Sequence, residues 1–359
     1  MADEHEHTEL VTLDDAHVAQ LFPPLTRQEV LNCMFSSWYP KLSKVSFKSK
    51  IIKPVEPSFV EYLLSDGFVL PDDAGPASYG NKFEEDSSDE ASEWSDDGEE
   101  EAKLTVDVSS TVEEIRKAIE ELGGKVFPRM NWSAPTDASW MSADNTLQCQ
   151  TPSEVFALLK GSDKVVGDAD KGRYLDQQTL GHWEPELVLK QWCNLLPSME
   201  FRGFVRNGQL IGISQIDMQH YEFLEDMAAE IETEIKHLFD KHVCNAIESQ
   251  NYCFDVYVTQ DSTRAYVVDI EPWTQSVDTI LFGWAELLTL AESKQLGLRL
   301  FPAGVDPMRY HSRKYSKNVF PTEMTLDAFQ EALAKFSFNR QSETAAAAGA
   351  ASDADSSGE

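Results

Sequence analysis

Residues 251–273, NYCFDVYVTQDSTRAYVVDIEPW, decide the fold, because they predict a β-hairpin. Both arms alternate and are rich in β-branched and aromatic residues, and a polar turn around Ser262 separates them. A symmetric hairpin places Asp255 opposite Asp269, with Glu271 on the next diagonal. Like charges about 5 Å apart destabilise a sheet, so the three acids require a counter-charge. Mg²⁺ binds carboxylates together with nucleotide phosphates and is the expected counter-ion. The pattern is equally compatible with a hairpin whose acidic face only contacts water.

The composition is strongly acidic. Aspartate and glutamate number 62 against 30 lysines and arginines, so the formal net charge of the 359-residue chain is −32. This charge disfavours nucleic acid and anionic membranes as partners and favours basic proteins or cations. No apolar run of about 18 residues occurs, which predicts no transmembrane helix. The N-terminal segment lacks the features of a signal peptide, and the five cysteines lack zinc-binding spacing, so we expect a cytoplasmic protein with reduced thiols.

Local signals predict the starts and ends of several elements. Thr26, Thr111 and Thr151 are each followed three residues later by glutamate, which predicts three capping boxes at helix starts. We expect the first helix to end at Pro40, because the residue before a proline avoids helical backbone angles. The Asn-Gly pair at 207–208 predicts a two-residue hairpin between two good strands.

Several segments carry too few apolar residues to fold by themselves. Residues 84–101 contain eleven acids, and ordering them would cost about 1–2 kcal/mol per residue. We therefore predict a disordered acidic insert at 80–106. A disordered extension at 1–25 and a low-complexity, disordered tail at 341–359 are also predicted. Residues 161–184 are predicted to form a loop.

Three basic residues, Arg129, Lys190 and Arg202, stand on different predicted strands. Basic side chains on one side and Mg²⁺-binding carboxylates on the other can together hold nucleotide phosphates. Each cation alone is typical of a solvated strand residue, so only their combination with the acidic hairpin indicates a site. The sequence contains no P-loop, no GxGxxG after a strand, no GxSxG and no HExxH, which argues against the corresponding enzyme classes.

Six sequence blocks are more specific than these patterns. They are VLNCMFSSWYP (30–40), GGKVFPRMNWSAPTDASW (123–140), ELVLKQWCNLLPSMEFRGFV (186–205), GISQ (212–215), FDVY (254–257) and VDIEPW (268–273). Through these blocks the chain resembles the cell division cycle protein 123 family, from about residue 28 to residue 290. The resemblance implies an α+β, ATP-grasp-like fold with two sheet-containing lobes, helices on one side and the nucleotide between the lobes.

The resemblance also implies a division of the chain between the disordered ends. The implied ranges are an N-terminal part of the ATP-grasp-like fold at 26–79, a first lobe at 107–185, and a second lobe with the nucleotide and Mg²⁺ site at 186–340. The extension at 1–25, the acidic insert at 80–106 and the tail at 341–359 lie outside these lobes.

The resemblance implies a MgATP-binding assembly chaperone that binds the gamma subunit of eukaryotic translation initiation factor 2. Such a protein promotes assembly of the heterotrimer and thereby supports translation initiation and cell cycle progression. We expect a cytoplasmic monomer without direct contact to nucleic acid or membranes, and we assign no catalytic residue. Two alternatives stay open. One is an ATP-dependent carboxylate–amine ligase or kinase-like transferase of the ATP-grasp class, and the other is a scaffold whose nucleotide site has decayed.

The resemblance assigns roles to thirteen residues. Arg129 takes the place of a phosphate-binding lysine, and Arg202 matches the arginine of the family's EFR motif. The remaining residues form the nucleotide-facing strand and loop (Asn131, Trp132, Ser133, Ala134), the strand along the adenine (Lys190, Gln191, Trp192, Cys193) and the magnesium ligands (Asp255, Asp269, Glu271). The chain departs from the family pattern in three of these. Glu271 replaces an asparagine, Gln191 replaces a basic residue, and Arg129 presents a planar fork instead of a compact ammonium group.

Overall fold

The computed structural model describes residues 15–75 and 106–306, apart from residues 143, 173 and 292–293. Within these ranges the chain forms two β-sheets and a set of helices, which confirms the predicted α+β class. The predicted tail, and the predicted acidic insert except for its last residue, lie outside the described residues. No helix in the described ranges combines the length and the apolar character needed to cross a membrane.

The strands form one sheet of three and one sheet of five. In chain order they are β1 Ser49–Ile52, β2 Val126–Arg129, β3 Leu187–Gln191, β4 Glu200–Arg206, β5 Gln209–Gln215, β6 Tyr252–Val258, β7 Ala265–Pro272 and β8 Leu298–Arg299. The order is β1-β3-β2 in the smaller sheet and β7-β6-β4-β5-β8 in the larger one. Neighbouring strands are antiparallel except for β8, which runs parallel to β5.

The helices lie before, between and after these strands. In chain order they are α1 Asp15–Leu21, α2 Arg27–Asn32, α3 Phe35–Leu42, α4 Pro57–Leu64, α5 Ser109–Glu121, α6 Pro152–Lys160, α7 Asp163–Lys171, α8 Gln177–Leu180, α9 Glu222–Leu238, α10 Cys244–Ala246 and α11 Trp284–Thr289. A π-helical turn at Phe239–Val243 follows α9.

The three-stranded sheet buries one face against α4, α5 and α6. Leu187 and Leu189 of β3 pack there with Phe156 of α6. Because successive side chains of a strand point to opposite faces, Val188 and Lys190 point away from these helices. Val188 belongs to the core of the five-stranded sheet, so this second face is turned towards that sheet.

The five-stranded sheet has helices on both faces. Ile231 and Ile235 of α9 pack against Phe254 on one face. On the other face Phe204 packs with residues of α1 and α11, including Leu287. The prediction of helices on one side is therefore wrong for this sheet. Phe204, Ile211 and Cys253 form an apolar part of this face, and α1 and α11 remove it from water.

The β6–β7 hairpin has the predicted register at its centre and an irregularity beside it. Asp255 lies opposite Asp269, as predicted. The next pair joins Val256 with Val267, so Val268 is an extra residue of β7 and forms a β-bulge. The predicted alternation is interrupted there, and Val267 is fully buried. At 207–208 the predicted two-residue turn joins β4 and β5, and both of its residues have positive φ.

Two of the three predicted capping boxes are confirmed, at Thr26 and Thr151. Helix α5 instead begins at Ser109, so Thr111 lies inside the helix. Asp107 binds the backbone at this helix start instead, because its side chain accepts a hydrogen bond from the Ser109 amide at 3.0 Å.

Proline does not end the first helical region. Helix α3 contains Pro40, so the predicted end at this residue is wrong. Pro40 removes one backbone donor from the helix. Trp38 and Leu42 are both almost completely buried on the same helix, and their burial offsets that loss.

Helices also occupy segments predicted to lack them. Residues 161–184 contain α7 and α8 instead of a loop, and α1 lies within the predicted disordered extension. Val18 and Leu21 of α1 are buried in the core beside α11, and this packing stabilises a helix too short to form alone.

The boundary between the sheets differs from the predicted lobe boundary at residue 186. Strand β3 begins at Leu187 but pairs with β1 and β2, whereas the five-stranded sheet begins at Glu200. Residues 192–199 therefore connect the two sheets. Pairing between β1, β2 and β3 spans long sequence separations, and no local signal reports it.

Candidate functional site

The two sheets meet through charged side chains. On the three-stranded sheet, Arg129 and Lys190 lie on the face that is turned towards the five-stranded sheet. On the five-stranded sheet, Arg202, Asp255 and Asp269 are cross-strand neighbours on β4, β6 and β7. We refer to these residues and their charged neighbours as the charged cluster: Arg129, Lys190, Glu200, Arg202, Asp255, Asp269 and Glu271.

Arg129 crosses from the three-stranded sheet to the hairpin. Its Nη1 lies 2.7 Å from Asp269 Oδ1, and its side chain is only 2% exposed. Burial alone would lower the pKa of Arg129, but Asp269 beside it raises that pKa above its usual value. The guanidinium also lies 5.4 Å from the centre of the Phe35 ring. Arg129 is therefore a buried cation with Asp269 as its counter-ion.

Arg202 supplies the counter-charge that the other two acids require. Its Nε and Nη2 donate to the two carboxylate oxygens of Asp255 at 2.7 and 2.8 Å. Nη2 also lies 2.8 Å from Glu271 Oε2, and Nη1 donates to the carbonyl of Asp278 at 2.8 Å. The Arg202 side chain is 11% exposed and the two carboxylates 16% each, so little water screens these contacts.

Lys190 is the second buried cation. Its Nζ donates to the carbonyl of Val268, the bulge residue, at 2.8 Å. The rings of Phe35, Phe47 and Phe127 lie within 5.2–6.0 Å of the ammonium group. Burial, and then the positive charge of Arg129, lower the pKa of Lys190 to about 7. The charge of Lys190 therefore changes near neutral pH.

We expect the conformational stability of the chain to rise between pH 7 and about pH 10, more steeply than in a Lys190→Met variant. In this window the unfolded lysine still holds its proton, whereas the folded one, with a pKa of about 7, has lost it. The free energy of unfolding then increases by up to about 1.4 kcal/mol per pH unit. Urea unfolding at pH 7, 8 and 9, without nucleotide or divalent metal, measures this slope.

A matched control for this experiment is Lys44→Met, because Lys44 is exposed. Its pH dependence should follow that of the wild type. Equal slopes for the wild type and Lys190→Met would contradict the expectation.

Glu200 is a site residue that the sequence patterns do not predict. It lies on β4 two positions before Arg202 and therefore on the same face of the sheet. Burial, and then the charge of Asp255, raise the pKa of Glu200 to about 7. No cation of the described ranges lies within ion-pair distance of its carboxylate. The signal that could have found it was its alternation with Arg202.

Two predicted nucleotide-facing residues, Asn131 and Trp132, hold the protein scaffold together instead of joining the charged cluster. The Asn131 side chain donates to the carbonyl of Glu184 at 2.9 Å and accepts from the amide of Glu186 at 3.0 Å. The indole of Trp132 donates to the carbonyl of Val30 at 3.0 Å. Both side chains are buried.

The other two residues of this group lie in the same loop. Ser133 is buried and its hydroxyl donates to Asp168 Oδ1 at 3.1 Å. The carbonyl of Ala134 accepts from the Thr136 amide at 2.8 Å. Asp168 was missed because residues 161–184 were predicted to be a loop. Its position three residues after Val165, on the buried side of α7, was the available signal.

The residues after Lys190 do not direct their side chains into the charged cluster. Gln191 alternates with Lys190 and donates to the carbonyl of Leu122 at 2.9 Å. The Trp192 indole donates to Asn194 Oδ1 at 3.0 Å, and Cys193 is exposed. An interaction of residues 191–193 with the adenine, through their backbone groups, stays a prediction.

The acids of the hairpin do not form a ready-made metal cage. In the described ranges no group of three or more His, Cys, Asp or Glu side chains is placed to hold a metal ion. Asp269 faces Arg129, while Asp255 and Glu271 face Arg202. Mg²⁺ nevertheless commonly takes only one or two carboxylates and completes its coordination with waters and phosphates. The donor set therefore fits Mg²⁺ that arrives with phosphates, and the metal role of the three acids stays a prediction.

The chain is similar to proteins of a single family over most of its length. A profile of the D123 family matches residues 38–328. Cell division cycle protein 123 of Aspergillus terreus is 37% identical over 320 residues, which are 85% of this chain and 73% of that protein. The translation initiation factor eIF2 assembly protein of Emericella nidulans is 37% identical over 283 residues, 76% of this chain and 67% of that protein.

A solved structure supports the same relationship. Cdc123 from Schizosaccharomyces pombe has a TM-score of 0.63 and 33% sequence identity to this chain, covering 78% of this chain and 100% of that one. Every residue of the charged cluster lies inside the range that the family profile matches.

Proposed function

We propose, because the chain belongs to the D123 family, that it assists the assembly of eukaryotic translation initiation factor 2 and binds MgATP between its two sheets. The similar protein of Emericella nidulans carries the name of an eIF2 assembly protein. One observation carries the nucleotide part of the proposal. Cations from β2, β3 and β4 meet the acids of the β6–β7 hairpin in a single, largely buried cluster.

In the proposed complex the phosphates of ATP are bound by Arg129, Lys190 and Arg202, and Mg²⁺ is bound by carboxylates of the hairpin. The carboxylates concerned are Asp255, Asp269 and Glu271. Bound MgATP brings charges of both signs, so an arginine can exchange a carboxylate for a phosphate while that carboxylate takes the metal ion. Arginine forms strong, paired hydrogen bonds with either group. A bound phosphate also favours the charged form of Lys190, which burial opposes.

We propose the gamma subunit of the initiation factor as the direct partner, with joining to the alpha subunit as the assisted step. The net charge of −32 suits a partner with a basic surface. The proposed role places the chain in the cytoplasm as a monomer, where it supports translation initiation and cell cycle progression. MgATP acts in this proposal as a bound ligand, and no residue is assigned to turnover.

The partner proposal predicts that the tagged chain enriches the gamma subunit from a eukaryotic lysate. We expect clear enrichment over a tag-only control at low salt and a smaller yield at high salt, because exposed charges are screened beyond about 10 Å at 0.1 M ionic strength. Mass spectrometry of the eluates, with and without added MgATP, measures both effects. Absence of the gamma subunit at low salt, in both nucleotide conditions, would refute the partner.

A further inference from the structure

The turn at residues 130–133 is built around the guanidinium of Arg129. The Met130 amide donates to the carbonyl of Ser133 at 2.9 Å and closes the turn. Arg129 Nη2 donates to the carbonyl of Trp132 at 2.8 Å, and Nε donates to the carbonyl of Met130 at 3.3 Å. The third nitrogen, Nη1, faces Asp269. The direction of the Arg129 fork therefore depends on the shape of this turn.

Asp168 of α7 binds the same turn through hydrogen bonds from two of its residues. Its Oδ2 accepts from the Trp132 amide at 3.3 Å, and its Oδ1 accepts from the Ser133 hydroxyl at 3.1 Å. The residue is 1% exposed and lies on the buried side of α7 with Val165 and Ala169. A carboxylate is costly at such a position unless it accepts hydrogen bonds. The turn supplies two of these bonds, so Asp168 and the turn fix each other.

We propose that Asp168 is a positioning residue that acts through the 130–133 turn to keep the Arg129 fork directed into the charged cluster, where phosphate binds. This inference rests on the proposed MgATP function. The positioning effect of Asp168 on MgATP affinity is opposite in sign to its repulsion of the phosphates. Its attraction to the Arg129 guanidinium acts in the same direction as the turn. Neutralising an acid near phosphates would by charge alone tighten nucleotide binding. Asparagine at residue 168 keeps one acceptor for the Trp132 amide, but its N–H group makes the Ser133 hydroxyl an acceptor, and the loss of charge weakens both contacts. The turn is then held less firmly, which weakens binding.

The experiment compares the affinity of the full chain for MgATP across a small set of variants by calorimetry. Asp168→Asn should raise Kd about tenfold, which corresponds to about 1.4 kcal/mol. Ser133→Ala removes one of the two contacts with Asp168 and should raise Kd about threefold. Asp163→Asn changes an exposed acid on the same helix and should leave Kd unchanged.

A double-mutant cycle with Arg129→Gln then distinguishes positioning from a general loss of structure. The Kd of the double variant should be less than about twice that of Arg129→Gln, because the guanidinium that Asp168 positions is already absent. A merely structural role would raise Kd and lower thermal stability in both backgrounds alike. Thermal unfolding of each variant confirms that binding is measured on folded protein, and Ser133→Ala replaces Asp168→Asn in the cycle if the latter does not fold.

The outcomes separate this inference from the proposed function. If Arg129→Gln weakens binding while Asp168→Asn and Ser133→Ala do not, the inference is overturned and the nucleotide site stands. Additive losses in the double variant, or tighter binding by Asp168→Asn, also overturn the inference alone. No binding by the wild type, or an unchanged Kd in Arg129→Gln, overturns the inference together with the assignment of Arg129 to the phosphates.

Discussion

Replacing Asp255 by asparagine is expected to raise the Kd for MgATP by about 100-fold or more, a loss of about 2.7 kcal/mol. Asp255 lies at the centre of the charged cluster, paired across the strands with Arg202 on one side and Asp269 on the other. Asparagine is a neutral and weaker ligand for Mg²⁺, which prefers charged oxygen donors. The fold should persist, because the amide oxygen can still accept from Arg202 and Glu271 remains as counter-ion. Calorimetry at saturating Mg²⁺ measures the change.

The matched control for this variant is Asp261→Asn. Asp261 lies in the turn of the same hairpin but is exposed, and asparagine preserves the oxygen that accepts from the Thr263 amide at 3.2 Å. Its Kd for MgATP should equal that of the wild type. Wild-type affinity in Asp255→Asn would remove the acidic hairpin from the nucleotide site.

The register of this hairpin illustrates what a sequence can and cannot report. The opposition of Asp255 and Asp269 followed from two alternating arms of similar length around one turn, and the structure confirms it. The bulge at Val268 was not predictable, because its determinants lie elsewhere in the chain. The Val268 carbonyl accepts from Lys190, and the neighbouring Val267 carbonyl accepts from the Ser46 hydroxyl at 2.8 Å. Contacts across more than 70 residues leave no periodic trace in either segment.

The sequence predicts that cations and acids meet in one cluster, but it does not identify every residue of that cluster. Arg129, Lys190 and Arg202 are cations on separate predicted strands, and the structure places all three at the acidic hairpin. Asn131 and Trp132 are predicted to face the nucleotide because they follow Arg129 in a specific motif. Their side chains bond to backbone groups of distant segments, and their place at the nucleotide stays a prediction. A motif marks residues that belong together, but it does not separate those that build a turn from those that face a ligand.

Removal of Arg202 from the charged cluster should clearly destabilise the fold. Arg202→Met leaves Asp255 and Glu271 close together without their shared counter-ion, in positions that are only 16% exposed. Loss of one partner from a buried ion pair typically costs about 3–5 kcal/mol. We expect a decrease in the free energy of unfolding at the lower end of this range, because 11% of the Arg202 side chain still contacts water. Urea unfolding without nucleotide or divalent metal measures it, and Arg264→Met, at an exposed position of the same hairpin, serves as the control.

The same variant tests whether the acids of the hairpin can take a divalent ion in place of a guanidinium. A ligand that binds only the folded state stabilises it by RT ln(1 + [L]/Kd). In Arg202→Met the carboxylates no longer share an arginine, so Mg²⁺ should bind them more tightly than in the wild type. Millimolar Mg²⁺ should therefore restore part of the lost stability, whereas Na⁺ at the same ionic strength should not. If Mg²⁺ and Na⁺ act alike on this variant, the acids of the hairpin do not hold a metal ion by themselves, and Mg²⁺ at the hairpin then depends on the phosphates that bring it.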